Sequence, residues 1–273
     1  MGELCHLLGV ARSGYYAWRR RAQSQQEAMN ATLGEAIERI FAEHKGRYGS
    51  PRVTAALRLQ GQGCNHKRVE RIMRETGLQA RSKRRWRPRT TDSQHPHPIA
   101  PNRLAERAQP KAINEVWIQD ITYLATAEGW LYLAGVVDLC SRRVLGWSMQ
   151  ETLETRLPLA ALEMALEQRG YPKEVIHHSD RGCQYASQEY RSALARHELI
   201  ASMSRKANCY DNAAMESFWS SLKTELRDER LERLPKAAVR QLVFEYIESY
   251  YNRRRLHSSL NYQSPVEFET QMR

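Results

Sequence analysis

No run of about eighteen apolar residues occurs in the chain, so no segment is expected to cross a membrane as a helix. The first residues lack a charged start followed by an apolar core, and no secretory signal is expected. Cysteine is sparse and scattered. The five, Cys5, Cys64, Cys140, Cys183 and Cys209, are odd in number and form no CxxC pair, which argues against a disulfide framework or a zinc knuckle and suits a reducing cytoplasm. Acidic residues are scarce in one part only: residues 1–110 carry 21 Lys and Arg against 9 Asp and Glu, while residues 111–273 carry 21 against 22. The net charge of +11 therefore belongs to the N-terminal part. Such asymmetry points to a nucleic-acid-binding module joined to something with another task, with an inert solvated basic surface as the alternative.

At 273 residues the chain is long enough for two domains, each with its own core. Residues 1–30 read as an N-terminal helical segment, and residues 31–90 as a basic, helix-turn-helix-like DNA-binding domain. Leu33, Ile37, Ile40 and Phe41 recur at helical spacing, GRYGSP breaks the run, and Val53, Ala56, Leu57 and Leu59 resume it. Pro51 suits a helix start, Asn65 introduces a third helix with Val69, Ile72 and Met73 inward, and Gly77 stops it. On that helix Lys67, Arg71 and Arg74 lie opposite the apolar stripe, as a DNA-reading helix or a merely exposed basic face would present them. The stretch RSKRRWRPR adds Arg81, Lys83, Arg84, Arg85 and Arg87 around Trp86. Residues 91–110, rich in Pro, Thr and Ser at their start, read as a linker.

Residues 111–273 change period. VWIQDITYL, WLYLAGVVDL and VLGWSM read as three consecutive antiparallel strands; a helix, a buried strand at residues 175–178, a helix, a short strand and further helices follow. This describes an α/β domain, a mixed sheet with packed helices of the ribonuclease H type, behind an all-α N-terminal domain. Asp120 shares a strand face with Val116, Ile118 and Thr122, where an ionised carboxylate is costly unless paired or bound to metal. Asp180 ends the buried strand; beginning a turn would be its ordinary use. Glu216 lies at the rim of a helical stripe of Met215, Phe218, Trp219, Leu222 and Leu226, with Lys223 two turns on. Three converging carboxylates without cysteine ligands favour hard cations, Mg²⁺ or Mn²⁺, and a pair of them serves phosphoryl transfer.

The segments NEVWIQDITYL, VVDLCSRRVLGW, HSDRGCQY, DNAAMESFWSSLKTE and YYNRRRLHSSLNYQSP, in that order, closely resemble the second-frame transposase of a bacterial insertion-sequence family. It is the copy-out, paste-in family that itself resembles retroviral integrases. The likeness extends to LGVARSGYYAW and GRYGSPRV near the N-terminus. It implies an integrase-type catalytic core with an Asp, Asp, Glu triad falling on Asp120, Asp180 and Glu216, two Mg²⁺ or Mn²⁺ ions, and Lys223 near the transferred DNA end. Tyr251, Asn252, Arg255 and His257 match the C-terminal signature, with packing or DNA contact as their roles. Asp138 matches a motif but carries no implied catalytic role. His177 and His178 are either core histidines or contacts around the site. The resemblance further implies binding of the element's terminal inverted repeats and target DNA, assembly as a dimer or larger on DNA, and fusion to an upstream-frame product by ribosomal frameshifting. A DNA-binding regulator with an inert C-terminal domain and a structure-specific nuclease of similar fold are the competing readings.

Overall fold

The computed structural model describes residues 2–22, 24–81, 96–105, 109–205 and 212–272. The chain divides into two compact units, Met1–Arg81 and Ser82–Arg273.

In the first unit, α1 (Gly2–Leu7) and α2 (Arg12–Arg20) precede α3 (Gln25–Glu43), α4 (Ser50–Leu59) and α5 (His66–Glu75). Helix α3 begins two turns before its apolar periodicity does. A capping box sets its start: Glu27 N–H donates to Ser24 Oγ at 3.2 Å while Glu27 Oε2 accepts from Ser24 N–H at 2.8 Å. Apart from half-buried Asn30, the residues before Leu33 face solvent, and so leave no hydrophobic signature. Helix α5 starts where Asn65 Oδ1 accepts from Lys67 N–H at 2.8 Å, and it stops before Gly77, whose φ of 71° is left-handed. Ile37, Ile40, Tyr48, Val53, Leu57 and Val69 form the core of this unit. With Val69, Ile72 and Met73 turned inward, Lys67, Arg71 and Arg74 are exposed on the opposite side of α5.

The second unit is built on a sheet that, among the described residues, has the strand order β3-β2-β1-β4-β5. Strands β1 (Val116–Thr126), β2 (Gly129–Asp138) and β3 (Val144–Gln150) are antiparallel neighbours; β4 (Ile176–Ser179) and β5 (Ile200–Met203) add in parallel beyond β1. Helix α6 (Arg156–Arg169) crosses over to β4, the short α7 (Cys183–Ala186) and α8 (Gln188–Arg196) lead to β5, and α9 (Ala213–Glu225) follows. Trp117, Ala134, Val136 and Leu145 pack with Leu157, Leu162 and Leu166 of α6 and with Tyr190 and Leu194 of α8 in one core. Even-numbered residues of β1, Asp120 among them, point to the other face.

Two features at the far end of the chain brace this frame. Helix α10 (Lys236–Phe244) runs into a π-helical stretch, Glu245–Tyr251, after which Asn252 clamps β3 by accepting from Val144 N–H and donating to Val144 O, each at 2.9 Å. Helix α11 (Pro265–Met272) carries Glu269, which is buried and paired with Arg169 of α6 and Arg143.

Gly146 fixes how closely α6 lies on β3. A Cβ there would fall 2.1 Å from Ala161 O and 2.6 Å from Ala165 N, both backbone atoms with no freedom to yield. Gly146→Ala is expected to lower stability by about 3 kcal/mol through overpacking, read from the midpoint of urea unfolding, whereas an alanine at the open turn position Gly63 should change it little.

Candidate active site

The in-register pairing of β1 with β4 sets the position of two carboxylates. Gln119 pairs with Ser179 in that parallel register, so Asp120 and Asp180 are the next residues on adjacent strands, whose backbones run about 4.8 Å apart. Asp120 belongs to the strand and Asp180 to the chain just leaving it, where Asp180 Oδ1 accepts from Gly182 N–H at 2.9 Å. The Asp120 residue keeps some contact with solvent, but its carboxyl group is desolvated by packing. Burial, and then the charge of Asp180, push its pKa up to about 7; hydrogen bonds from Ile121 N–H, the Trp219 indole and the Asn212 side chain oppose the rise.

Helix α9 lies against this end of the sheet. Trp219 Nε1–H donates to Asp120 Oδ2 at 3.0 Å. Asn212, Glu216, Trp219 and Lys223 fall within an arc of about 60° on the helix. Asn212 and Trp219 hydrogen-bond to Asp120, and burial lowers the pKa of Lys223, opposed in part by the charge of Asp120. Glu216 lies at the edge of that arc farthest from Trp219, with its side chain exposed.

Among the described residues, no group of three or more His, Cys, Asp or Glu side chains stands close enough to hold an ion. The two aspartates are brought together; the Glu216 side chain is not gathered with them, although its helix is. The donors at hand suit a hard divalent cation. Besides the two carboxylates, Asn212 Oδ1 is buried without a hydrogen-bond partner, as is the Tyr185 hydroxyl, whose pKa burial and the charges of Asp120 and Asp180 raise.

Other residues named from the sequence take structural places. Asp138, fully buried, accepts from Asn114 N–H, Cys140 N–H and Ser141 N–H at 2.7 to 3.0 Å, a strand-end role, with its pKa raised by burial. His177 Nε2 is bonded to Gln119 Oε1 at 2.9 Å, and burial holds its pKa down to about 3, so it is a neutral core residue. His178 Nδ1 meets Ser202 Oγ at 2.8 Å. Arg255 and His257, expected as DNA contacts or packing residues, are both buried: Arg255 pairs with Glu225 at 2.7 Å and lies over the Tyr251 ring, which also packs edge-on to His257. An arginine neutralised inside the protein offers nothing to a phosphate, so packing is what this geometry supports. Lys83, Arg84, Arg85 and Arg87 lie outside the described residues; Arg81 is half-buried. Arg71 shares an exposed ion pair with Glu75 at 3.6 Å.

Residues 110–209 and 198–265 match the family model of the integrase core domain, and residues 29–86 that of an HTH-like domain. The transposase InsF for insertion sequence IS3A of Escherichia coli K12 is 44% identical over 97% of this chain and 92% of its own length. A 31 kDa protein of insertion element IS600 from Shigella sonnei is 41% identical, covering 97% of both chains. The chain belongs to the IS3 family of transposases. A chain of the simian T-cell lymphotropic virus intasome shares the fold at a TM-score of 0.50 and 19% identity, over 79% of this chain and 70% of that one. As an IS3-family transposase the protein is an enzyme of the polynucleotidyl transferase class with DNA as its partner, and its integrase core has the mixed, ribonuclease H-like sheet expected from the strand pattern. Among the described residues, no helix is long and apolar enough to cross a membrane.

Sequence reasoning put Trp219 only in an apolar stripe and passed over Gly135. The available signal was an indole N–H three residues after Glu216, on a helix proposed to face a buried carboxylate.

The raised pKa of Asp120 has a consequence for the metal-free protein. Its ionisation is less favourable folded than unfolded, where an aspartate titrates near about 3.9, so the folded state binds the extra proton and stability falls as pH rises from about 4 to 7. In chelator, Asp120→Asn is expected to remove that part of the decline in melts taken across this pH range; an unchanged slope would contradict the assignment.

Proposed function

We propose that this IS3-family transposase cuts a DNA strand at the element's ends and joins the freed 3′-OH to target DNA, using Asp120, Asp180 and Glu216. The observation that carries this reading is the pair of carboxylates set side by side by β1 and β4, with an arc of α9 laid across one of them. Asp120 and Asp180 would hold the cations, with Asn212 Oδ1 within the same pocket, and Glu216 would complete the set by a side-chain rotation from its exposed position on that arc. Mg²⁺ or Mn²⁺, two ions when bound, would supply charge stabilisation at both the attacking and the leaving oxygen of an in-line displacement. In the first step a water attacks the phosphorus at the element end and the P–O3′ bond breaks; in the second the released 3′-OH attacks a phosphodiester of the target, displacing its 3′ oxygen. Lys223, two turns after Glu216 on the same side of α9, would neutralise the phosphate of the transferred end. No protein nucleophile takes part.

The HTH-like domain would read the terminal inverted repeats, with Lys67, Arg71 and Arg74 of α5 on the phosphates or bases and Arg81, Lys83, Arg84, Arg85 and Arg87 adding charge beyond it. Pairing two ends calls for a dimer or larger assembly on DNA. The upstream-frame product, joined by frameshifting, would supply further end recognition, and the cytoplasm, at the bacterial nucleoid, would be the place of action. Residues 31–90, 91–110 and 111–273 remain the domain boundaries proposed for the two jobs and the linker.

Asp120→Asn, Asp180→Asn and Glu216→Gln are each expected to bring Mg²⁺-dependent cleavage and joining on end-containing DNA to background while leaving DNA binding intact; joining at the native rate by any of them removes that residue from the triad. A nuclease would hydrolyse without joining, and a regulator would ignore the metal. Because six to ten phosphate contacts would weaken binding by about 10³ to 10⁵ between about 50 and 200 mM salt, Lys67→Ala should reduce the salt slope by about one. Filter binding across a salt series measures this, and an unchanged slope excludes Lys67 from the interface.

A further inference from the structure

Helix α9 donates to the site from a side chain that sequence patterning treats as filler. Trp219 is 6% exposed, its ring leans on Phe218 at 4.6 Å between centroids, and its indole N–H ends on Asp120 Oδ2 at 3.0 Å. An indole has one donor and no acceptor, so a buried Trp N–H with a carboxylate partner is directional: it selects one oxygen and fixes the plane of the group.

The ring can stand there because the strand beside it lacks a side chain. Gly135 is directly opposite Asp120 in the β1–β2 register. A Cβ on Gly135 would lie 3.0 Å from Trp219 Cη2 and 3.5 Å from Cζ2, with Met215 Cε at 3.7 Å. The backbone of Gly135 does not have a positive φ, so its conformation is open to other residues, and what a Cβ would press against is the indole. Glycine is unfavourable within a strand interior, so its presence across from the buried aspartate marks a close approach of another group.

We propose that Trp219, seated in the notch left by Gly135, is a positioning residue for the transposase reaction: it orients the Asp120 carboxylate for cation binding and sets the rotation of α9 that brings Glu216 over the site. The bond leaves the remaining lone pairs of Asp120 for a metal, and it favours the ionised carboxylate that a metal requires. Glu216 is one turn before Trp219, so any rotation of the helix that broke the indole bond would also swing Glu216 away. Partners that orient a metal ligand in this way are worth about 10- to 100-fold in metal affinity.

The inference rests on the reading of Asp120 as a metal ligand, and the experiment separates the two. Mn²⁺ binding to the full chain is measured by titration calorimetry for wild type, Trp219→Phe, Gly135→Ala, the double variant and Asp120→Asn, alongside the melting temperature in chelator. Trp219→Phe keeps an aromatic ring and loses only the N–H and the outer ring. It is expected to raise the Mn²⁺ Kd about tenfold or more in a chain that melts cooperatively, at a somewhat lower temperature, in chelator, and to recover joining at correspondingly higher Mn²⁺. Gly135→Ala should weaken Mn²⁺ binding by displacing the indole, and it should cost nothing further in the Trp219→Phe background, where Cη2 is gone. Wild-type Mn²⁺ affinity in Trp219→Phe, with Asp120→Asn abolishing binding, overturns the positioning role alone. Wild-type affinity in Asp120→Asn overturns the metal-ligand reading beneath it. Should Trp219→Phe fail to fold, Gly135→Ala decides: unchanged Mn²⁺ affinity there rejects the proposal.

Discussion

Two like charges on neighbouring strands are the constraint around which this fold is arranged. The parallel register of β4 on β1 sets Asp120 and Asp180 next to one another at the edge of a packed core, and burial together with the charge of Asp180 pushes the pKa of Asp120 up to about 7. A sheet optimised only for stability would not place them so, since desolvating and crowding carboxylates opposes folding. Hydrogen bonds from Ile121 N–H, Trp219 and Asn212 relieve part of that cost. On the proposed reading a bound cation would relieve the rest.

Rigidity behind the carboxylates follows from polar groups buried with their partners. Gln119, adjacent to Asp120 and facing the opposite side of the sheet, bonds His177 and Tyr190 and donates through Nε2 to Pro158 O at 2.7 Å. That links β1, β4, α8 and α6 in one network directly beneath the site. Networks of this kind rigidify a core when each member finds a partner. On the far side, Glu225 at the end of α9 accepts from Arg255 and from the Tyr246 hydroxyl, so the helix carrying Glu216, Trp219 and Lys223 is tied to the C-terminal segment. The buried ion pair gives that segment a role in holding α9 in place; removing one partner would leave the other charge stranded in the interior.

The second compact unit, Ser82–Arg273, carries the paired carboxylates, while the surplus of basic residues spans the first unit and residues 82–89, which follow it in sequence. Helix α5 presents its cations because its apolar stripe is narrow and fully used by Val69, Ile72 and Met73. Several cations of the catalytic unit are paired: Arg143 and Arg169 with Glu269, Arg255 with Glu225, and Lys236 with Glu151.

Strand and helix periods were legible along the chain because alternation in VWIQDITYL and helical spacing in DNAAMESFWSSLKTE are local properties, fixed by which face each element must bury. Asp120 and Asp180 stood out for the same reason, as charges where apolar residues belong. The first turns of α3 escaped notice because they bury almost nothing, and the role of Arg255 was open because a basic residue in sequence reads alike whether it faces DNA or a glutamate 30 residues away. Strand order, the parallel register and the contact of Trp219 with Asp120 across 99 positions came only from tertiary structure. Periodicity states which face of an element is apolar; which carboxylate an indole N–H meets depends on long-range pairing, and one missing Cβ at Gly135 decides it.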